Sequence, residues 1–358
     1  MPVTLRAAAA QMTGIELRGV EKAYGGNQPV IENLDLQIEE GSFTVLLGPS
    51  GCGKSTILRM IAGLEKETAG EIFINGEDMR GTSPGARGIA MVFQNYALYP
   101  TMTVKENIEF GLKNIKVPKA EREARVDEVV RMVGLTEYIN RKPQYLSGGQ
   151  RQRVALARAI VKKPRVFLMD EPLSNLDAKL RAQIRTDLIE LHRKLGATFV
   201  YVTHDQVEAM SMGTDIVLLE GGKIRQQGTP QSIYSAPRNL FTAQFIGAPP
   251  MNVIKAEDLG PGAVSIYKLP RGTASLGFRP EHTVIGDGTG VPKGVDLFRG
   301  ELVAREILGD HAIYKFKTDL GIVHAKVMSG SIVEYGEWFV GAERKYLYCF
   351  DEKGDAII

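Results

Sequence analysis

From Phe43 to Leu64 the chain reads Phe43-Thr-Val-Leu-Leu47, then Gly48-Pro-Ser-Gly-Cys-Gly-Lys54-Ser55, then Thr56-Ile-Leu-Arg-Met-Ile-Ala-Gly-Leu64. The first block is a short apolar strand and the last is an amphipathic run that Gly63 closes. Between them lies the spacing G-x-x-x-x-G-K-[ST], in the strand–loop–helix setting that gives this spacing its meaning. Glycines let backbone N–H groups approach phosphate oxygens, and the helix N-terminus adds a favourable dipole potential. Lys54 is placed to reach the β- and γ-phosphates of a nucleotide, and Ser55 to bind Mg²⁺. The other reading is a glycine-rich turn with one accidental lysine, which the full spacing and its flanks disfavour. Ser50, Gly51, Cys52, Gly53 and Thr56 complete the loop, and Cys52 reads as a loop residue without thiol chemistry.

Outward from this loop, Gly14–Val20 and Ile31–Ile38 alternate as strands do. Thr56–Leu64, Lys119–Gly134, Gln150–Lys163 and Leu180–Leu195 read as helices. Val166–Met169, Thr198–Thr203 and Ile216–Leu219 are the unbroken apolar runs of buried parallel strands. Strands alternating with helices predict an α/β phosphate-loop NTPase with a mostly parallel sheet. The pattern changes near Gly247-Ala-Pro-Pro-Met-Asn252. Beyond it Val264–Leu269, Ala274–Arg279, Gly300–Ile307, His311–Lys317, Gly321–Lys326 and Lys345–Phe350 read as short strands, which predicts a small all-β barrel or sandwich. The expected division is a tail over residues 1–12, a first domain over 13–247 and an all-β domain over 248–358.

Composition sets outer limits. The chain has 358 residues, 44 Lys+Arg against 42 Asp+Glu, and is 44% hydrophobic and 24% charged, as a folded globular protein is. A formal net charge of +2 gives no support to bulk binding of nucleic acid or anionic lipid. No run of 18 apolar residues is present, and no secretory signal is read at the start. Cys52 and Cys349 stand far apart and form no disulfide framework, so a reducing compartment is expected.

Two further motifs carry chemistry. Val166-Phe-Leu-Met-Asp170-Glu171 is an apolar strand ending in two acids, at the edge where open α/β sheets bind ligands. Asp170 would hold Mg²⁺ through water, and Glu171 would polarise the attacking water as general base. Alone, this could be a strand followed by an acidic turn. Leu146-Ser-Gly-Gly-Gln150 opens a basic helix: Ser147 can cap it, while Gly148 and Gly149 leave N–H groups open to an anion.

Together the phosphate loop, Leu146-Ser-Gly-Gly-Gln150, the strand with Asp170-Glu171 and the later His204 resemble the ATP-binding-cassette family of ATPases, from about residue 14 to 247. The resemblance implies Tyr24 stacked on adenine and the loop Ser50–Thr56 around the phosphates. It implies Gln94 sensing Mg²⁺, γ-phosphate and the membrane partner, and His204 contacting γ-phosphate. Ser174-Asn-Leu-Asp177 would communicate across a dimer. Arg141 would face the nucleotide from the opposite chain, together with Ser147, Gly148, Gly149 and Gln150. Ordinary roles compete at each position: Tyr24 as a turn aromatic, Gln94 as a solvated loop residue, His204 as a strand-end histidine. The implied mechanism is a head-to-tail homodimer that binds ATP and Mg²⁺ between its chains, closes to drive a conformational change, and is reset by hydrolysis.

Met91–Val104, Glu171–Arg181 and Tyr201–Met210 resemble the carbohydrate-importer subfamily. Gly277-Phe-Arg-Pro-Glu281 resembles that subfamily's oligonucleotide-binding-like regulatory domain. This implies the energy-coupling ATPase of an importer for a carbohydrate or polyol phosphate, of the oligosaccharide or glycerol-3-phosphate type. Its partners would be two membrane permease subunits and, indirectly, an extracytoplasmic solute-binding protein. Its place would be the cytoplasmic face of the plasma membrane. The alternatives are soluble cassette ATPases of ribosomes or DNA. Those carry two cassettes, or coiled coils between the motifs, whereas one of each motif is present here and only 97 residues separate Gly48 from Leu146. A nucleic-acid role for the β module is disfavoured by its balance of 8 Lys and 5 Arg against 7 Asp and 8 Glu over residues 252–358.

Overall fold

The computed structural model describes residues 13–25, 28–259, 268–287, 295–328 and 333–357, with 295–297 as backbone only. The expected tail over 1–12 and most of the expected strand Val264–Leu269 lie outside the described residues. The chain divides into two compact units, Met1–Pro230 and Gln231–Ile358.

In the first unit, β1 (Thr13–Lys22), β2 (Ile31–Glu39), β3 (Phe43–Leu47), α1 (Lys54–Ala62), β4 (Ala69–Ile74), β5 (Glu77–Asp78) and β6 (Ile89–Val92) come first. Then follow α2 (Val104–Asn114), α3 (Lys119–Met132), α4 (Gly148–Ile160), β7 (Val166–Asp170), α5 (Ala178–Leu195), β8 (Thr198–Thr203), α6 (Gln206–Met212), β9 (Asp215–Glu220) and β10 (Lys223–Gly228). The central sheet has the order β10-β9-β3-β8-β7-β6, parallel from β9 to β6, with β10 antiparallel at its edge. Strands β3, β7 and β8 are buried at every residue, as their unbroken apolar runs require. A separate antiparallel sheet has the order β2-β1-β4-β5. Ile57, Leu58 and Ile61 of α1 share one core with Leu17, Leu36 and Ile72 of that sheet and Leu46, Leu168 and Val202 of the central one. The phosphate loop therefore stands on a helix locked between two sheets. Helices α2, α3 and α4 pack on one another away from it.

The second unit opens with α7 (Pro230–Ser235) and α8 (Leu240–Phe245). Then come β11 (Asn252–Lys255), β12 (Ser275–Phe278), β13 (Thr283–Gly286), β14 (Val295–Ile307), β15 (His311–Thr318), β16 (Gly321–Met328), β17 (Glu337–Glu343), β18 (Tyr348–Phe350) and β19 (Ala356–Ile357). They form two antiparallel sheets, β11-β12-β18-β19 and β13-β17-β14-β15-β16. Phe278, Leu302, Tyr314, Phe316, Val323 and Val340 fill the core. Asn252 joins the sheets: its Nδ2 donates to the His324 carbonyl at 2.8 Å, and its Oδ1 accepts from His324 N–H at 2.7 Å. The two helices fall within this unit, ahead of the expected change at 247/248. The cause is Arg279, 1% exposed, which donates to the carbonyls of Tyr234 (2.8 Å), Ala243 (3.0 Å) and Ile246. Its guanidinium also lies over the Tyr234 ring, 4.2 Å from the centroid.

Candidate functional site

The phosphate loop closes on itself through Lys54. Its ammonium donates to the carbonyls of Gly48 and Pro49, each at 2.8 Å, and lies 3.8 Å from Cys52 Sγ. An ammonium has three protons; two go to loop carbonyls and the third to the weak acceptor Cys52 Sγ, a contact that a phosphate oxygen would replace. Glycine is required at two places. A Cβ on Gly48 would lie 2.3 Å from the Leu219 carbonyl oxygen, and one on Gly53, at φ +99°, 2.3 Å from Ile31 Cδ1. Cys52 turns inward to the core, where its Sγ accepts weakly from the Lys54 ammonium. Burial pushes its thiol up, against the pull of Lys54, which fits the reading without thiol chemistry.

Helix α1 begins at Lys54, so Ser55 projects from its first turn. Its hydroxyl donates to Asp170 Oδ1 at 2.6 Å, across from the C-terminal end of β7. One hydroxyl and one carboxylate are hard oxygen donors. Mg²⁺ takes few protein ligands when phosphates and water supply the rest, so this pair fits that ion. Asp170 also faces Arg59 at 3.7 Å.

Glu171 has φ +44°, the left-handed region, at a residue that is not glycine. Such backbone costs on the order of 1–3 kcal/mol and persists only where its surroundings impose it. Here Glu171 N–H donates to the Val202 carbonyl of β8 at 3.1 Å, and its carbonyl accepts from Ser174 Oγ at 2.9 Å. The side chain meets His204, with Oε1 3.3 Å from Nδ1. Gln94 donates through Nε2 to Ser174 Oγ at 3.2 Å, and its carbonyl accepts from Asn175 Nδ2 at 3.0 Å. One cluster thus holds Lys54, Ser55, Asp170, Glu171, His204 and Gln94. The hydrogen bond of the Gln94 side chain goes to Ser174 and not to the Ser55–Asp170 pair.

Tyr24 is 55% exposed and carries Lys22 Nζ 4.7 Å from its ring centroid, so an aromatic surface is open to solvent. The remaining expected residues lie elsewhere. Ser147 caps α4 in a full capping box: its Oγ accepts from Gln150 N–H at 3.3 Å, and Gln150 Oε1 accepts from Ser147 N–H at 2.9 Å. Gly148 and Gly149 sit where a Cβ would meet Leu176 and Leu180. Arg141 lies over the Tyr138 ring. Among the described hydrogen bonds and ion pairs, none joins Arg141 or residues 147–150 to the phosphate loop.

The sequence reading passed over Arg158. Its guanidinium donates to the carbonyls of Tyr96 (2.9 Å) and Ala97 (2.6 Å), both residues at positive φ just after Gln94. Nothing in its spacing points to this, because the partners are about 60 positions away. Beside it runs a groove of about 640 Å³ lined by Phe93, Ala97, Tyr99, Phe110, Ile115 and Arg158.

The family model described as "ABC transporter" matches residues 31–174. Proteins named sn-glycerol-3-phosphate import ATP-binding protein UgpC are similar over most of their length. That of Bordetella avium is 47% identical (80% of this chain, 82% of its own). UgpC 2 of Agrobacterium fabrum is 49% identical (84% and 85%), and UgpC of Brucella abortus 53% (75% and 77%). Among solved structures, cbiO1 of Clostridium perfringens, part of the ABC transporter complex cbiONQ, aligns with TM-score 0.59 at 27% identity, covering 62% of this chain and 91% of that one. A dimeric ATP-binding cassette in a post-hydrolysis state with ADP and Pi aligns with TM-score 0.55 at 36% identity (60% and 98%). With this likeness over more than two thirds of the UgpC chains, and with the phosphate loop, the strained Glu171 and the capped Leu146–Gln150 motif in place, the chain belongs to the ABC transporter family, as one of its ATP-hydrolysing subunits.

Proposed function

We propose that the chain is the energy-coupling ATPase of a membrane importer for a carbohydrate or polyol phosphate, with sn-glycerol 3-phosphate, the solute in the UgpC names, as the first solute to test. The dimeric mechanism is supported by the dimeric cassettes among the similar solved structures, and by the lack of any described hydrogen bond or ion pair between the phosphate loop and the Ser147–Gln150 helix start. In that homodimer Tyr24 stacks on adenine, while Ser50–Thr56 and Lys54 hold the phosphates. Ser147, Gly148, Gly149, Gln150 and Arg141 approach from the second copy. Ser55, Asp170 and Gln94 would hold Mg²⁺, which when bound neutralises phosphate charge. Glu171 takes the proton of the attacking water, His204 steadies its carboxylate and the γ-phosphate end, and Gln94 reports on both through Ser174.

The apolar groove beside Arg158 supports a membrane partner. Ile115 on its rim is 68% exposed, and the loop after Gln94 forms part of its wall. A permease subunit seated there would touch the Gln94 loop directly, one per cassette, on the cytoplasmic face of the membrane. An extracytoplasmic solute-binding protein would deliver the solute to the permeases. Among the described residues no helix is long and apolar enough to cross a membrane, and the permeases would supply the spans. The second unit, net acidic, is assigned a regulatory or dimer-stabilising role.

Glu171→Gln tests the reading. Its hydrolysis is expected to fall by about 10²-fold or more, the range for loss of a general base, with ATP affinity retained. With Mg-ATP the variant should sediment as a dimer and retain two polytopic membrane proteins from detergent-solubilised membranes. Turnover at the wild-type rate removes Glu171 from the chemistry. Recovery of ribosomal or DNA-bound partners alone moves the protein out of transport.

A further inference from the structure

Arg181, on the first turn of α5, bridges two loops of the site. Its Nη2 donates to the carbonyl of Leu176 at 3.2 Å, within the Ser174–Asp177 loop. Its Nη1 donates to Asp205 Oδ2 at 3.4 Å, the residue after His204. Its Nε, buried and without a hydrogen bond, lies 3.9 Å from Glu208 Oε1. The far side of the cluster is anchored in the sheet. Glu208, 3% exposed, accepts from Tyr201 Oη at 2.8 Å and Thr203 Oγ1 at 2.7 Å. Asp205 N–H donates to Thr203 Oγ1 at 3.0 Å, and Asp205 Oδ1 caps α6 through the N–H groups of Val207 and Glu208. His204 is therefore flanked on both sides by residues of one hydrogen-bonded unit, and Arg181 is the cation that joins this unit to the 174–177 loop.

The charge balance gives Arg181 a preferred place. Asp205 and Glu208 are two carboxylates that share this guanidinium, and burial pushes the Glu208 carboxyl up. A planar fork with fixed donor directions can hold a carbonyl and a carboxylate in one geometry, which a lysine cannot. One buried donor is still unspent, and an approach of under about 1 Å by α6 would bring Glu208 into hydrogen-bond range of it.

We infer that Arg181 is a positioning residue that fixes His204 to the Ser174–Asp177 loop, so that the γ-phosphate contact and the loop proposed to face the second copy move as one body. The inference rests on the assignment of His204 made above. Arg181 then acts on turnover through His204 and leaves nucleotide affinity alone.

The experiment is a double-mutant cycle on the full chain, read as steady-state ATP hydrolysis with Mg-ATP. Arg181→Gln is expected to lower kcat about tenfold, with KM for ATP changed less than about twofold. Placed on His204→Ala, the same substitution should cost less than about twofold, because residues acting as a unit do not add. Asp205→Asn, which keeps a side-chain oxygen to cap α6 and loses the ion pair, should reproduce the effect if Arg181→Gln fails to fold. If Arg181→Gln or Asp205→Asn loses its full factor again on His204→Ala, or none at all in the wild type, the inference is overturned while the site assignment stands. If His204→Ala itself turns over at the wild-type rate, the assignment of His204 is what fails.

Discussion

Glu171 shows how much a single residue type can be legible while its conformation is not. An acid after an apolar strand is read directly from Val166–Glu171, at the edge where open α/β sheets bind ligands. Its φ of +44° follows from bonds to Val202 and Ser174, which no local pattern announces. The same division runs through Lys54, expected from its motif, and Arg158, visible only once the distant carbonyls of Tyr96 and Ala97 are brought to it, and Arg181, whose carboxylate partner Asp205 lies 24 positions on. His192 belongs with the second kind. Its Nε2 lies 3.0 Å from the Gly41 carbonyl, which only accepts, so Nε2 carries the proton of the neutral ring. The rings of Phe199 and Phe43 lie 5.0 and 5.4 Å away. Burial, outweighing the backbone carbonyls around it, holds the His192 pKa below its ordinary value. The unfolded chain then binds the proton more readily, so this contribution to stability is whole above about pH 6.5 and is lost as pH falls below it. His192→Gln should reduce the drop in melting midpoint between about pH 7.5 and pH 5.5. An equal drop in both proteins would refute the assignment.

Helix starts are where elements and sequence agree best, since a cap needs one side chain at one spacing. Ser147 with Gln150 forms the capping box expected from Leu146–Gln150, and Asp177 and Asp205 cap α5 and α6. Thr103 with Glu106 forms a second full box at α2; the pattern T-x-x-E was present and not read, as was the helix behind it. Thr103→Ala should destabilise the first unit by about 1 kcal/mol, measured as a lower urea midpoint at unchanged slope. No change in midpoint would show that packing alone holds α2. Strands were less legible. β1 and β2 alternate and were found. β4 escaped because Gly70 breaks its signal, although Gly70 is there for close approach: a Cβ would lie 2.4 Å from the Gly19 carbonyl oxygen. In the second unit β11, β13 and β17 escaped because each is short or interrupted by glycine, and pairing partners, not propensity, define them.

At the scale of the molecule, the two units divide at Pro230 because a buried cation recruits two helices to the β-sheets. Gly277-Phe-Arg-Pro-Glu281 is structural throughout. Gly277 leaves room for Met251, Phe278 fills the core, Arg279 holds the helix carbonyls, and Glu281 accepts from Tyr234. Arg279→Met should therefore destabilise the second unit by about 3 kcal/mol, the order for stripping charged hydrogen bonds from buried carbonyls. It should also raise amide exchange over residues 234–246; a variant with unchanged exchange there would refute the role. The α/β class, the phosphate loop, the Asp170-Glu171 pair and the Leu146–Gln150 cap were determined by sequence alone, because phosphate binding, burial of parallel strands and capping each demand particular residue types at short, fixed spacings. The boundary at 230, the tie of Gln94 to Ser174 and the Arg158 and Arg181 bridges were decided by the tertiary structure. They depend on which distant backbone carbonyls and carboxylates the folded chain brings within about 3 Å of one guanidinium or amide.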